Sequence, residues 1–528
     1  MSKLVLTGEQ AREKMLIGVK AISSIVGSTL GPKGSNVAID RTFGSPLVVH
    51  DGVTVARQLQ LDDEAANMAI DILVDGASRT NDEAGDGTTT ATVLAGAIYE
   101  QSNKVIKAGA NSMMLRKGIE EGKNLMIAEL TKMARPVKKE DIVEVATISA
   151  QDSIIGQCVA DAFNRHGERS IVTVDENSVP IVDVEYRDGM QFDRGVISPF
   201  MCNIPERMEV DLKNVNILVS DKRVAWQELG ELMDGLIKAH NTRQLVIICS
   251  GLDEMTLANI IANKKQGIFN AIVVNAPGYG DAQKALLEDI AIYTGGRFIS
   301  ADSRELLSEI EFTDLGLVDR VVSGEKNTLI ISNNAKKELL EARIKLIKDT
   351  LAKPDTSAVA REKLEERLAK LTSGIAIVKV GANSEVEMRE RKERAIDAIS
   401  AVRSSIEQGI VAGGETALLK ASRVLDELIA STSDDIKIGV QVLQRACHKP
   451  FELLMSNSGL DAGAMKADVL KDTKNRGIDV MSGELCDLIA KGIVDPVKVT
   501  KSALSNAVSV ASQLITTDTL IVELPEKK

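Results

Sequence analysis

The spacing of apolar residues changes character along this chain, and the changes mark out its parts. Residues 3–6 (Lys-Leu-Val-Leu) form a short strand pattern, and Met15, Val19, Ile22 and Val26 then recur at helical spacing. That helix stops at Thr29-Leu30-Gly31-Pro32-Lys33-Gly34, a Gly/Pro breaker. Two short β-like pieces follow at Val37–Ile39 and Leu47–Val49, and helices dominate from there to about Lys132. From about Val143 the texture shifts. Ile171-Val172-Thr173-Val174 and Val182-Asp183-Val184-Glu185-Tyr186 alternate as strands. Val215–Val219, Leu245–Ile248 and Ala271–Val274 are apolar runs separated by helical stretches, the pattern of a buried α/β sheet. The intervening helices, Trp226–Ala239 and Glu254–Asn263, carry more apolar surface than one sheet-facing stripe needs.

Residues 335–371 differ again. Leu340, Ile344, Ile347 and Leu351 step by four, three and four, and Leu364, Leu368 and Leu371 resume the step after Lys353-Pro354-Asp355. This predicts an antiparallel helical hairpin. A strand at Ile375–Val380 gives way to a charged helix ending at Gly409. The chain is mostly helical from Glu415 to Ala511 and closes with a strand at Leu520–Leu524. No repeat of fixed period is present. The order α, mixed, α/β, mixed, α predicts nested domains whose two outer pieces meet.

Composition narrows the function classes. A 528-residue chain is long enough for roughly three domains. Aromatics are only 2%, so cores must be aliphatic, and the stacking platforms of single-strand nucleic-acid binders are missing. A formal charge of −12 argues further against a phosphate-backbone partner. Cys158, Cys202, Cys249, Cys447 and Cys486 form no C-x-x-C and are odd in number, as expected of reduced cytosolic thiols. The chain opens without a signal-peptide pattern, and no apolar run approaches the ~18–20 residues of a membrane span. The expectation is a cytoplasmic protein that does not engage membranes.

One stretch carries chemistry. Asn81–Thr90 reads N-D-E-A-G-D-G-T-T-T and runs straight into the apolar helical positions Ala91, Val93, Leu94, Ala97 and Ile98. Gly85 and Gly87 flank Asp86, so the backbone there is free to take positive φ and approach a ligand. Three threonines then open a helix, where free N–H groups and the positive end of the dipole favour an anion. A carboxylate beside a phosphate makes sense if Mg²⁺ lies between them. The bland alternative is a solvated Asp86 and a Thr88 that merely caps the helix. His50-Asp51-Gly52 offers another carboxylate beside a glycine, and Asp397 sits in an otherwise apolar helical stretch, where a lone Asp is usually solvated. The Gly-rich loop holding Lys33 lacks G-x-x-x-x-G-K-[ST] and so does not match a P-loop.

Assembled, these residues resemble the GroEL family of group I chaperonins over nearly the whole length. The carriers are Thr29–Gly34, Asp51-Gly52-Val53-Thr54-Val55-Ala56, Asn81–Thr90 and Gly189-Met190-Gln191-Phe192-Asp193-Arg194-Gly195. Glu385-Val386-Glu387-Met388, Gly409–Gly414 and Ile493-Val494-Asp495-Pro496 extend it. The resemblance implies a multi-domain α and α/β fold. Residues 1–132 with 408–528 would be a mostly helical equatorial ATPase domain, and 133–188 with 374–407 a small α/β intermediate hinge domain. Residues 189–373 would be an α/β apical substrate domain carrying the helical hairpin. It further implies a double ring of seven subunits that captures non-native polypeptides and encloses them with ATP, Mg²⁺ and a small co-chaperonin lid.

Residue by residue, the resemblance implies that Thr29, Leu30, Gly31, Pro32 and His50 line the nucleotide. Asp86, Gly87, Thr88, Thr89 and Thr90 would hold its phosphates, with Asp86 the Mg²⁺ ligand. Gly413, Gly414, Asp479, Val480, Met481 and Asp495 would contact the nucleoside. Asp51 would stand near the γ-phosphate, and Asp397 would orient the attacking water. Val196, Phe200, Met201, Met233, Leu257, Ile261 and Ala262 would form the polypeptide-binding strip.

Several positions depart from the family pattern. His50 replaces Lys, Glu415 replaces the third glycine after Ala412, Ser373 replaces a hinge glycine, and Gly230 interrupts the strip. The chain ends Glu526-Lys527-Lys528 with no Gly/Met tail. These mark a divergent paralogue, so a holdase or scaffold with weak ATPase and little folding activity is the alternative. A metabolic kinase would need a phosphoacceptor pocket that has no signature here.

Overall fold

The computed structural model describes residues 3–40, 47–49, 52–166, 171–177, 179–303, 305–332, 334, 336–351, 358–372, 374–472 and 476–523. Two compact units emerge: Met1–Glu168, Val172–Val184 and Val378–Lys528 form one, and Arg169–Ile171 with Glu185–Ile377 form the other.

The first unit is built from long helices whose apolar stripes are aliphatic, as the scarcity of aromatics requires. Met15, Val19 and Ile22 of the Gly8–Gly27 helix share a core with Leu94 and Ile98 of the Thr88–Lys107 helix and Leu504 and Leu514 of the Val497–Thr516 helix. Glu64–Ala84 completes the group, packing on both Gly8–Gly27 and Val497–Thr516. Its start is fixed by Asp63, whose carboxylate accepts from the Ala65 and Ala66 N–H groups. Ser112–Met133 lies against Asp434–Ala446 at a spacing only paired glycines permit. A Cβ on Gly118 would stand 2.1 Å from the Ile436 carbonyl oxygen, and one on Gly439 would stand 2.3 Å from that of Leu115.

The expected meeting of the ends is direct. Lys3–Thr7 pairs antiparallel with Thr519–Glu523, Lys3 opposite Glu523 and Thr7 opposite Thr519. Val37–Ile39 and Leu47–Val49 pair with each other. Among the described residues no helix is long and apolar enough to cross a membrane.

In the second unit the three apolar runs are neighbouring parallel strands at one end of the sheet. Asn270–Asn275 lies beside Gln244–Cys249, which lies beside Val210–Ser220. Gly316–Ser323, Thr328–Ile331 and Val182–Phe192 then follow in antiparallel sequence. Trp226–His240, Glu254–Lys265 and Gly280–Thr294 supply the helices.

The predicted hairpin arms are Lys337–Leu351 and Ala358–Thr372, which pack together; the Lys353-Pro354-Asp355 break falls outside the described residues. Their anchor is ionic. Asp289 is fully buried, and its carboxylate accepts from Arg343 Nε at 2.7 Å on one arm and from Arg367 Nε and Nη2 at 2.7 and 2.8 Å on the other. One buried anion thus holds two guanidinium groups from different helices. Removing it leaves both cations without their shared partner. Asp289→Ala is therefore expected to destabilise this unit by roughly 3–5 kcal/mol, read as a lowered denaturation midpoint and faster proteolysis of the hairpin arms. A midpoint within error of the parent would dismiss the anchor.

Candidate functional site

The turn between the Glu64–Ala84 and Thr88–Lys107 helices has the geometry its glycines allow. Gly85 and Gly87 take φ of 71° and 83°, and the helix cap is Gly87, with no side chain bonded to it. Thr88 is therefore the first helical residue rather than the cap. The Ala91 N–H bonds to the Gly87 carbonyl, so the N–H groups of Thr88, Thr89 and Thr90 precede the first intrahelical acceptor. They face outward with the positive end of the helix dipole. Asp86 Oδ1 accepts the Gly87 N–H at 2.6 Å, which turns the carboxylate back toward the helix start.

Other loops close a circle around the helix start. Gly52 opens the Gly52–Gln58 helix so near that a Cβ there would meet Thr89 Oγ1 at 2.4 Å and Val26 Cγ1 at 3.2 Å. Val26 leads to the Thr29–Pro32 breaker. The Thr29 hydroxyl donates to the Val26 carbonyl at 2.8 Å and is buried, so it terminates the helix and shapes the loop through its backbone. Leu30 packs in a small cluster with Leu454, Ile478 and Val480. Leu454 lies against both Gly31 and Gly414, and Lys33 donates to the Val480 carbonyl at 2.8 Å.

Asp479 caps its own turn, accepting from the Met481 N–H at 2.9 Å, the Ser482 hydroxyl at 3.0 Å and Lys491 at 3.2 Å. Its pKa is lowered, with those bonds outweighing burial. Met481 points out, 66% exposed. Ile410–Ala412 pairs with Val494–Pro496, placing Asp495 opposite Val411, and the Gly413 N–H bonds to the Ile493 carbonyl. Thr29–Pro32, Gly413, Gly414, Asp495, Asp479–Met481 and Asp86–Thr90 are therefore linked by one chain of contacts around this helix start, which makes up the candidate recess. His50 and Asp51 lie outside the described residues.

The residue that ties the far side of the circle to the helix start is Glu415. Its Oε1 accepts the Thr90 hydroxyl at 2.5 Å. Its backbone is left-handed, φ 60°, which for a residue with a Cβ costs on the order of 1 kcal/mol or more. Sequence reasoning noted Glu415 only as a departure from glycine. The readable signal was its place directly after Gly413-Gly414, of which Gly414 takes positive φ at 62°.

Burial and mutual repulsion set the protonation of the carboxyls gathered here. Burial pushes the Glu415 carboxyl up to about 7, opposed by the Thr90 hydroxyl and helped by the charge of Asp86. Burial, with Glu415 and Asp86 adding their charge, pushes Asp495 up to about 8, although the Glu415 N–H bonds to it. Both residues are half-buried. Oxygen donors crowded to this extent match a hard divalent cation. Among the described residues no group of three or more His, Cys, Asp or Glu forms a metal cage. Mg²⁺ needs none, since one or two carboxylates and phosphate oxygens suffice. Asp86 fits that role.

Asp397 stands on the Glu385–Gln408 helix, which Ser384 caps. Further along, the Ser404 hydroxyl donates to the Ala84 carbonyl at 3.0 Å, and a Cβ on Gly85 would strike Ser400 at 2.3 Å. Positions 397, 400 and 404 share one face of a helix. Asp397 thus belongs to the face that abuts the Ala84–Gly85 turn.

The apolar strip in the second unit divides. Phe200 is 69% exposed, Ala262 is exposed, and Val196, Leu257 and Ile261 are half-buried. Met201 and Met233 correct the expectation, for both are core. Lys264 donates to the Met201 and Cys202 carbonyls, and the strapped Pro199–Met201 turn sends Met201 inward, where its sulfur accepts the Val273 N–H at 3.3 Å. Met233 falls on the buried stripe Leu229, Leu232, Met233, Leu236 of its helix. Met255 and Tyr279, at 65% and 79% exposure, are apolar surface the sequence reading passed over.

The raised carboxyls set a pH dependence. A carboxyl with a folded pKa above its unfolded value binds its proton more tightly in the folded state. The stabilisation is complete below the unfolded value and is lost as pH rises through about 7 to 8. The ligand-free protein is expected to melt at a lower temperature near pH 9 than near pH 6 (both approximate), and Asp495→Asn to make that decline shallower. Calorimetry at the two pH values decides; an unaltered slope in the variant would remove Asp495 as its source.

The model of the TCP-1/cpn60 chaperonin family matches residues 22–525. Among solved structures, the chain is similar to the chaperonin gp146 from the bacteriophage EL 2 (Pseudomonas aeruginosa), crystallised in the presence of ATP-BeFx. Crystal form II superposes with a TM-score of 0.68 at 23% identity, covering 99% of this chain and 100% of that one. Crystal form I gives 0.62 at 22%, covering 99% of each. At such identities the likeness is one of fold. The family match spans nearly every element described above, and the chain belongs to the TCP-1/cpn60 chaperonin family.

Proposed function

We propose that this chaperonin-family chain is the subunit of an ATP-driven folding machine. The observation that carries this reading is the approach of two distant chain segments, at Gly52 and Glu415, to the uncapped start of the Thr88–Lys107 helix, with the Asp86 carboxylate bonded back to the Gly87 N–H. In this reading the Thr88–Thr90 N–H groups hold the phosphates. Thr29–Pro32, Gly413, Gly414, Asp479–Met481 and Asp495 enclose the nucleoside, and the resemblance assigns His50 to the nucleotide and Asp51 to the γ-phosphate. Mg²⁺ held by Asp86 would neutralise phosphate charge. Asp397 orients the attacking water, reaching it from the helix face that also carries Ser400 and Ser404. Phosphoryl transfer depends chiefly on positioning and charge neutralisation, so one carboxylate from a separate helix suffices to gate it.

The three-part division into 1–132 with 408–528, 133–188 with 374–407, and 189–373 belongs to the same reading. So do the double ring of seven, a small lid partner and the cytoplasmic setting. Non-native chains would bind at Phe200, Ala262 and the half-buried Val196, Leu257 and Ile261, with Met255 and Tyr279 extending the apolar surface. Exposed apolar groups bind unfolded segments without sequence preference. The holdase or scaffold reading draws on one observation, the Glu415 carboxylate bonded to Thr90 within the recess. Mg·ATP hydrolysis together with ATP-dependent refolding of an aggregation-prone protein supports the machine; binding without refolding supports the holdase.

Asp397→Ala is expected to bind ATP with near-parental affinity while phosphate release slows by about 10²-fold or more. Unchanged turnover would take Asp397 out of the mechanism. Phe200→Ser is expected to weaken capture of a denatured polypeptide by up to roughly tenfold and leave ATP turnover alone. Equal capture by parent and variant would clear Phe200 of that role.

A further inference from the structure

We propose that Glu415 is a positioning residue that lowers the nucleotide affinity of this site by holding the Thr90 hydroxyl away from an incoming phosphate. The inference rests on the reading of the recess as a nucleotide site and deepens it. Three observations support it. Glu415 reaches across the recess from a different segment, 325 positions along the chain, to accept the Thr90 hydroxyl at 2.5 Å. Thr90 stands in the first helical turn, where an oxyanion would otherwise be the natural acceptor. Glu415 also holds this place in a left-handed backbone that suits glycine better, so the side chain is kept against its conformational preference.

The carboxylate behaves as an internal stand-in for a ligand oxygen. It accepts from Thr90, while its own N–H bonds to Asp495 on the next strand. A phosphate that takes up the Thr90 hydroxyl must first displace Glu415. Thr29 offers no replacement, because its hydroxyl is committed to the Val26 carbonyl. The consequence is a site set to respond at higher nucleotide concentration than its backbone donors alone would give.

A double-mutant cycle tests this with ADP and Mg·ATP as probes, affinity measured by calorimetry on the full chain. Glu415→Gly relieves the left-handed backbone, so its fold is expected to persist, and melting temperature is recorded alongside. The expected result is roughly tenfold tighter binding in Glu415→Gly, little further tightening when Thr90→Val is already present, and near-parental affinity in Glu415→Gln, whose amide oxygen still accepts from Thr90. Equal or weaker binding in Glu415→Gly overturns the proposal. Equal tightening in both Thr90 backgrounds also overturns it, since the charge would then act without Thr90. Should neither parent nor variant bind either nucleotide at millimolar concentration, the nucleotide reading itself fails and the inference goes with it.

Discussion

Every feature of the recess depends on where one helix begins. Thr88–Lys107 is gripped along its length by Gly8–Gly27 and Val497–Thr516, through Leu94, Ile98, Leu504 and their neighbours. Close-packed aliphatic interiors tolerate little displacement. The first turn is therefore fixed in space before any loop is considered. The Gly85–Gly87 turn, the Gly52 helix and Glu415 each meet that turn at hydrogen-bond or contact distance, and a shift of the helix would break them together.

Much of the fold was legible because aliphatic periodicity is a strong signal where aromatics are scarce. The strands at Val37–Ile39 and Leu47–Val49, the parallel runs of the second unit and the hairpin arms all fall where their spacing placed them. The pairing of the two ends was legible as matching texture on either side of a different middle. Registers were not. Which strand lies next to which depends on contacts between residues hundreds of positions apart, and a pattern along the chain does not encode them. The clamp at Asp289 was equally invisible, since nothing local distinguishes an Asp facing two arginines from one facing water.

The candidate site shows the same division. The Asp86 turn could be anticipated because glycines on either side of a carboxylate leave a narrow set of backbone shapes. Asp397 was singled out by resemblance alone, and its helix face could be related to the Ala84–Gly85 turn only through the contacts of Ser400 and Ser404. Met201 and Met233 were misplaced because an apolar residue near a surface strip looks the same whether its side chain points in or out. Burial there is decided by the Lys264 strap and by a helical stripe, both of which need coordinates.

The Thr88–Lys107 helix starts without the side-chain cap that commonly contributes about 1 kcal/mol. Its open donors leave the ligand-free protein less stable than its packing would allow, and any anion that satisfies them returns the deficit. Folding and occupancy are then thermodynamically linked. A chain of this design is most robust when its ligand is abundant and loosens as supply falls, so its own resistance to heat reports the concentration of what it binds.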